Sequence, residues 1–206
     1  MTTPEPLIPP HGGYKKLVTY RLGNLIYDAT VAFCEQYFSR KDRIFDQMVQ
    51  AARSGVANII EGSEASATSK KTELKLTNVA KASQEELLSD YQAFLRQRNL
   101  PEWAPDSPPA ETVRRHRPAD LAALRQLMAA LVTELSAGKS DRSDRSDRSD
   151  KSDILATVAA NTMICLVNQE TYLLKRQIDR LAKDFESGGG FAERLYRARK
   201  TRCEKE

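Results

Sequence analysis

Apolar residues recur every three or four positions along most of this chain, a spacing that places them on one face of an α-helix. The first stretch with this spacing covers 17–37. A second begins after Ser39 and Asp42, two residue types that cap helix N-termini. We predict that this second helix ends at Gly62, because glycine is a common stop signal.

A third helix is predicted to begin after an N-cap at Thr68 or Ser69 and to reach Asn99. The next segment, LPEWAPDSPPAETVRRHRP, is dense in proline, which cannot continue a helix interior. We therefore predict a loop there. A further helix is predicted over 119–136.

Beyond Gly138, the sequence SDRSDRSDRSDKSD repeats a three-residue unit that contains no apolar residue. Such a segment cannot offset its ordering entropy by burial, so we predict a disordered linker. The last long helix is predicted over 153–186, and the glycines at 188–190 end it. The remaining FAERLYRARKTRCEKE alternates apolar and basic residues at helical spacing, which favours a short basic helix.

No stretch shows the period of two that is typical of a β-strand, so the fold class is predicted to be all-α. Long helices joined by short turns favour an up-and-down four-helix bundle with one extra helix. The predicted organisation comprises, in chain order, a flexible N-terminus at 1–13, the first three bundle helices at 14–100, a proline-rich loop and the additional helix at 101–138, a disordered SDR-repeat linker at 139–152, the long closing bundle helix at 153–187, and a basic C-terminal helical tail at 188–206.

The composition fits a globular protein of one core, with 206 residues and 40% hydrophobic content. No apolar run approaches the ~20 residues that span a bilayer, and the N-terminus lacks the basic and apolar regions of a secretory signal. Cys34, Cys165 and Cys203 are widely separated, so no disulfide framework is expected. We therefore expect a cytoplasmic protein that does not associate with membranes.

Residue pairs suited to catalysis are scarce. The two histidines, His11 and His116, lie in segments predicted to be irregular, away from any plausible nucleophile. The Glu-x-x-His spacing of di-iron bundles does not occur. We therefore predict that the chain is not an enzyme, that it holds no metal or cofactor, and that it takes no small-molecule substrate.

The second helix is rich in small residues. Glycine in a helix interior costs roughly 0.5–1 kcal/mol relative to alanine, so Gly55 predicts that another helix approaches closely. We predict a helix-packing and oligomer surface that consists of Ala51, Ala52, Gly55, Val56 and Ile59.

Polar residues on the second and third helices have two interpretations, a functional polar site and a structural polar network. We favour the network, because a buried carboxylate needs a partner, such as Arg53, to offset its burial. The predicted members are Arg53, Asn58, Glu61, Glu73 and Glu86.

The net charge of +4 is too small to establish nucleic-acid binding, but basic residues crowd the C-terminal tail. Phe191 and Tyr196 are the residues of this tail that can stack on bases. The tail is therefore either a solvated helix face or an arm that contacts the phosphates of RNA or DNA. The residues predicted to make such contacts are Arg194, Arg197, Arg199, Lys200 and Arg202.

Two adjoining runs, DQMVQAARSGVANIIEGSEASATS at 46–69 and ELKLTNVAKASQEELLSDYQAFLRQRNL at 73–100, closely resemble the bacterial four helix bundle protein family. That family was first noticed as proteins encoded by intervening sequences in 23S ribosomal RNA genes. Three further motifs are similar to its four helix bundle suffix subgroup: GGY at 12–14, IYDAT at 26–30 and ANTMICLVNQETYLLKRQI at 160–178.

The resemblance implies a bundle that self-associates, commonly into a five-fold ring. A distant relative, the accessory variability determinant of diversity-generating retroelements, partners a reverse transcriptase and presents basic surface to nucleic acid. Two departures are visible in this chain. Val56 stands where the family motif often has proline, so a kink should be absent there, and the SDR repeat resembles an insertion.

Two hypotheses of different classes follow. The first is a non-catalytic, oligomeric scaffold or adaptor that binds another protein. The alternative is a non-specific nucleic-acid-binding accessory protein, with a reverse transcriptase as a candidate partner. The resemblance supports the fold more strongly than it supports either function, because one fold hosts many functions.

Overall fold

The structure is a computed structural model that describes Ile8, 11–137 and 147–203. In these residues every regular element is a helix, which confirms the all-α prediction for this part of the chain. A short 3₁₀ helix covers Gly13–Lys16, and the α-helices are α1 (Val18–Tyr37), α2 (Arg43–Ala65), α3 (Lys70–Gln97), α4 (Pro108–His116), α5 (Leu121–Ala137), α6 (Asp147–Gly188) and α7 (Phe191–Cys203). None of these helices combines the length and the apolar character needed to cross a bilayer.

The four longest helices pack in a closed order. α1 contacts α2, α2 contacts α3, α3 contacts α6, and α6 returns to α1. Their apolar stripes meet in one main core, in which the largest fully buried side chains include Ile26, Met48, Leu87, Tyr91 and Phe94. Burying a side chain of this size contributes about 1.5–3 kcal/mol, so the core stabilises the packing of all four helices.

The short helices α4 and α5 extend this core along one side of α6. Both contact α6, and they also contact each other. Val113 of α4 and Leu124, Leu127 and Leu131 of α5 belong to the same buried cluster as the long helices. These two helices are therefore packed parts of the core.

An aromatic cluster joins the C-terminal ends of α1 and α3. The ring of Phe33 lies 4.8 Å from the rings of both Tyr91 and Phe94, with the rings tilted edge to face. The hydroxyl of Tyr91 donates a hydrogen bond of 3.0 Å to Oγ1 of Thr30. The guanidinium of Arg98 covers the cluster, 4.0 Å from the centre of the Phe94 ring.

Two predicted boundaries inside the described residues are wrong. α2 continues past Gly62 to Ala65, and a Cβ at Gly62 would lie 3.4 Å from the carbonyl oxygen of Glu73. Gly62 therefore allows α3 to approach and does not end α2. The proline-rich loop contains α4, because Pro108 lies at the start of that helix, where a missing N–H is tolerated.

The repeat segment also differs from its prediction where it is described. α6 begins at Asp147, so 147–152 are helical, whereas a disordered linker was predicted. The rest of the linker, 139–146, lies outside the described residues, as does most of the predicted flexible N-terminus. Of that N-terminus, Gly12 is held in place, since its N–H donates to the carbonyl of Ser63 at 3.3 Å.

Candidate functional site

The small-residue face of α2 points into the core of its own chain. A Cβ at Gly55 would lie 3.1 Å from Cδ of Gln84 on α3 and closer still to Nε2. The close approach of another helix is thereby confirmed, and that helix is α3. The predicted residues are all buried: Ala51, Ala52, Gly55, Val56 and Ile59. As an oligomer surface the prediction is wrong, because periodicity identifies a buried face but not which chain covers it.

The polar residues predicted to form a network on α2 and α3 do not come together. Arg53, Glu61 and Glu86 are exposed. The side-chain amide of Asn58 donates to the carbonyl oxygen of Ser54, four residues earlier in the same helix, at 2.8 Å. Glu73 pairs instead with Lys70, one turn away, at 2.9 Å. Asn58 and Glu73 therefore bond within their own helices, and the other three residues face solvent.

Two other polar side chains, which the sequence analysis missed, lie fully inside the core. Gln84 on α3 and Glu170 on α6 are both 0% exposed. Gln84 lies against Gly55 of α2, and Glu170 lies against Gly23 of α1, where a Cβ would be 2.6 Å from Oε1. That same Cβ would be 3.2 Å from Val56, the neighbour of Gly55 in sequence. The two glycine contacts are therefore linked through α2, and we call these four residues the polar layer (Gly23, Gly55, Gln84 and Glu170).

The two polar side chains of this layer lack the hydrogen bonds that normally offset the burial of polar groups. Among the described residues, neither the amide atoms of Gln84 nor the carboxyl oxygens of Glu170 have a hydrogen-bond partner. Burial alone raises the pKa of Glu170 well above its ordinary value, so the carboxyl group holds its proton to a higher pH than an exposed glutamate. Each unsatisfied buried group costs about 1–3 kcal/mol, which makes this layer unfavourable for stability.

Asn161 shows the contrasting, satisfied arrangement in the same core. Its Oδ1 accepts a hydrogen bond from the backbone N–H of Trp103 at 2.7 Å. Its Nδ2 donates to the carbonyl oxygens of Pro101 and Thr157, both at 2.9 Å. Asn161 thereby attaches the connection after α3 to α6. Buried polar groups in proteins are normally paired in this way, so the polar layer is an exception.

An open groove of about 790 Å³ runs between α2 and α3 on the outside of the molecule. Its floor includes Ser54 and Ser83, whose hydroxyl oxygens are 3.1 Å apart. Its walls carry the carboxylates of Asp46, Glu86 and Asp90 and the guanidinium of Arg43. Partial burial and the neighbouring charge of Glu86 raise the pKa of Asp90, so the carboxylates of Glu86 and Asp90 repel each other. Within the described residues, no group of three or more His, Cys, Asp or Glu side chains could hold a metal ion.

The basic tail forms α7, which is attached to the turn between α2 and α3. Nη2 of Arg194 donates to the carbonyl oxygen of Ala67 in that turn at 2.7 Å. Arg194 is half-buried and anchors α7 to this turn, and its contact with a phosphate stays a prediction. Gly189 separates α6 from α7, and its φ of 68° is the left-handed conformation that favours glycine. The N–H of Gly190 then donates to the carboxylate of Glu193 at 2.8 Å.

The remaining predicted tail contacts are on the outer face of α7. Arg197, Arg199 and Lys200 are exposed, and the side chain of Arg202 lies outside the described residues. Tyr196, predicted as a stacking residue, is 70% exposed on the same helix. The tail therefore presents basic and aromatic groups while Arg194 holds it against the body.

No protein-family model, curated protein or solved structure matches this chain. The resemblance to the four helix bundle protein family therefore stays a prediction. In the structure, its longest motifs cover α2, the following turn and α3, the elements that form the outer groove and one half of the polar layer.

Proposed function

We propose that this chain is a non-catalytic four-helix-bundle scaffold that assembles with copies of itself and binds another protein. The closed packing order of α1, α2, α3 and α6 supports an up-and-down bundle as its framework. The resemblance to the four helix bundle protein family supports self-association, with a five-fold ring as the expected assembly. Four long helices packed on one core provide a rigid support for surface contacts.

The groove between α2 and α3 is the observation that carries this proposal. Glu86 and Asp90 both line this open space, and partial burial together with the repulsive charge of Glu86 raises the pKa of Asp90. A cationic side chain from a partner would relieve that repulsion and gain a charge-assisted hydrogen bond. We therefore propose that the groove binds a basic protein surface, and that the basic face of α7 on another copy is one such surface.

The cysteines support a non-catalytic role and a reducing location. Burial raises the pKa of Cys34 to about 12 and the pKa of Cys165 to about 11. The reactive thiolate is therefore scarce near neutral pH at both positions. Both are free thiols, which fits our proposal that the protein is cytoplasmic.

Light scattering after size exclusion tests the scaffold proposal. We expect a mass well above the 23.1 kDa of one chain at micromolar concentration, and a five-fold ring would have five times that mass. The double variant Glu86→Lys/Asp90→Lys should shift the protein toward monomer, because it replaces attraction for a basic partner by repulsion. The matched control is Glu134→Lys, an exposed charge reversal on α5. A wild-type protein that elutes only as monomer would contradict the proposal.

A second candidate function is a non-specific nucleic-acid-binding accessory, which could act together with a reverse transcriptase. The observation that favours it is the outer face of α7, where Arg197, Arg199 and Lys200 are exposed near Tyr196. Phosphate contacts by basic side chains give affinity without sequence readout, and an exposed tyrosine can stack on a base.

Fluorescence anisotropy with single-stranded RNA and DNA tests this second candidate. The logarithm of the affinity should fall linearly with the logarithm of the salt concentration, because each phosphate contact releases counterions. The triple variant Arg197→Gln/Arg199→Gln/Lys200→Gln should weaken binding about equally for all sequences and leave the helical circular dichroism unchanged. Arg194→Gln, which removes the anchor of α7, is the comparison variant. Absence of binding at low salt would exclude this function.

A further inference from the structure

Two surfaces of opposite charge face outward on this chain, the outer groove and the outer face of α7. The groove carries the carboxylates of Asp46, Glu86 and Asp90. Within the described residues none of these three carboxylates forms an ion pair, and the Arg43 guanidinium in the same wall forms none either. The groove therefore keeps an excess of negative charge that the described part of its own chain does not neutralise.

The outer face of α7 carries the opposite charge. Arg197, Arg199 and Lys200 are exposed there, and Tyr196 is 70% exposed on the same helix. The attached side of α7 is occupied, because Arg194 on that side donates to a carbonyl oxygen in the turn after α2. The helix is thus held with its basic face toward solvent.

The attachment point of α7 lies at the other end of α2 from the groove. Ala67, which accepts the bond from Arg194, follows the end of α2 at Ala65, whereas the groove residues of α2 lie between Arg43 and Ser54. At 1.5 Å per residue, roughly 17 Å of helix separate Ala65 from Ser54, and roughly 33 Å separate it from Arg43. Among the described helices, α7 packs along none. Its basic face therefore does not cover the groove of its own chain.

The groove and α7 match in length and in the spacing of their charges. The α2 wall of the groove is roughly 17 Å long, and α7, with 13 residues, is roughly 20 Å long. Glu86 and Asp90 lie one turn apart on α3, and Arg197 and Lys200 lie one turn apart on α7. A copy of α7 laid along the groove would bring basic side chains to successive carboxylates, where each pair gains a charge-assisted hydrogen bond.

We propose that copies of this chain join head to tail, with the outer face of α7 of one copy bound in the outer groove of the next. This inference rests on the self-association proposed above and names the two surfaces that meet. Because the surfaces differ, the contact repeats from copy to copy until a ring closes or an open chain grows. A symmetric contact between two grooves would instead bring like charges together, which is unfavourable.

Charge reversal on each surface, alone and combined, tests this pairing. The groove variant is Glu86→Lys/Asp90→Lys, and the tail variant is Arg197→Glu/Arg199→Glu/Lys200→Glu. Each variant alone should lower the mass measured by light scattering to the 23.1 kDa of one chain, because like charges then face each other. A chain that carries both sets has opposite charges again, with the signs exchanged, and should recover the wild-type mass. Nuclease treatment before the measurement removes assemblies bridged by nucleic acid.

A matched control combines the tail variant with Asp106→Lys/Glu134→Lys, which reverses two exposed acidic residues outside the groove and should leave the protein monomeric. If the wild type assembles and the tail variant keeps the wild-type mass, the head-to-tail contact is overturned while self-association stands. The same holds if the combined variant stays monomeric with an unchanged helical circular dichroism signal. A monomeric wild type contradicts self-association itself. Should the groove variant lose its helical signal, the tail variant decides, because its three residues are all exposed.

Discussion

Replacement of Gly55 by leucine is expected to disrupt the packing of α2 on α3. A Cβ at this position would already lie 3.1 Å from Cδ of Gln84 and closer to its Nε2, and leucine adds three more carbon atoms. Gln84 is fully buried, so its amide cannot move into solvent to make room. Overpacking of a core costs about 1–3 kcal/mol, occasionally more, and we expect the upper end of this range. Thermal unfolding followed by circular dichroism measures the loss.

A double-mutant cycle identifies the cause of that loss. Gly55→Ala should destabilise the wild-type chain, whereas the same change in a Gln84→Ala background should be much less harmful, with a coupling of about 1–3 kcal/mol. Gly13→Ala is the matched control, because a Cβ at Gly13 has no heavy atom within 4 Å. If Gly55→Ala melts at the temperature of the Gly13→Ala protein, the close contact between Gly55 and Gln84 is not present in solution.

The helices that the sequence predicts well are those with local signals. The stretch predicted at 17–37 is α1, Val18–Tyr37. Ser69 caps α3 as predicted, since its hydroxyl oxygen accepts from the N–H of Thr72 at 3.1 Å. Both signals depend on residues within one or two turns of each other, so no knowledge of the rest of the chain is needed.

Two glycines of α2 show which part of a glycine's role the sequence predicts. Gly62 was predicted to end α2, but it lies inside the helix at the crossing with α3. Gly55 was predicted to meet another helix, and it does, although the helix belongs to the same chain. Sequence composition shows that space is needed beside a glycine, whereas the path of the whole chain determines what fills it.

The polar layer left a signal in the sequence. Gln84 continues the spacing of Ala80, Leu87 and Tyr91, and this spacing places it on the buried face of α3. Glu170 follows the same rule between Val167 and Leu174 on α6. The network predicted near the end of α2 was based on polar residues that lie off the buried face, such as Arg53 and Glu61. A polar residue at a core position of a helical stripe is the stronger indicator of a buried polar group.

Arg194 shows, at the surface, that the sequence predicts the charge of a residue but not the group that it contacts. Arg194 lies three residues after Phe191, which places both on one face of α7. That face is turned toward the body of the protein, where Arg194 reaches the carbonyl of Ala67. Charge alone predicted five equivalent basic contacts, whereas in the structure Arg194 is an anchor and Arg197, Arg199 and Lys200 are exposed. The carbonyl that Arg194 meets comes from a turn 127 residues away and has no local signal.

The free energy of unfolding is expected to decrease as the pH rises above the ordinary range of a glutamate, because Glu170 titrates abnormally. Burial raises the pKa of Glu170 well above the reference value of 4.5, so the folded state binds this proton more tightly than the unfolded state. The stability that the protonated form of Glu170 retains relative to its charged form is therefore fully present below pH 4.5 and is lost as the pH rises through the folded pKa. Between these two pKa values the expected slope is about 1.4 kcal/mol per pH unit.

Glu170→Gln isolates this effect, because glutamine has nearly the same shape and does not titrate. Urea unfolding of both proteins across the range from about pH 4 to about pH 9 should show the variant gaining on the wild type as the pH rises. Asp90, whose pKa is also raised, remains in both proteins and cancels in the difference. Glu134→Gln, at an exposed position, should give a curve parallel to the wild type. If Glu170→Gln is also parallel, the carboxyl of Glu170 is solvated or paired in the folded protein, which would contradict its unpaired burial in the polar layer.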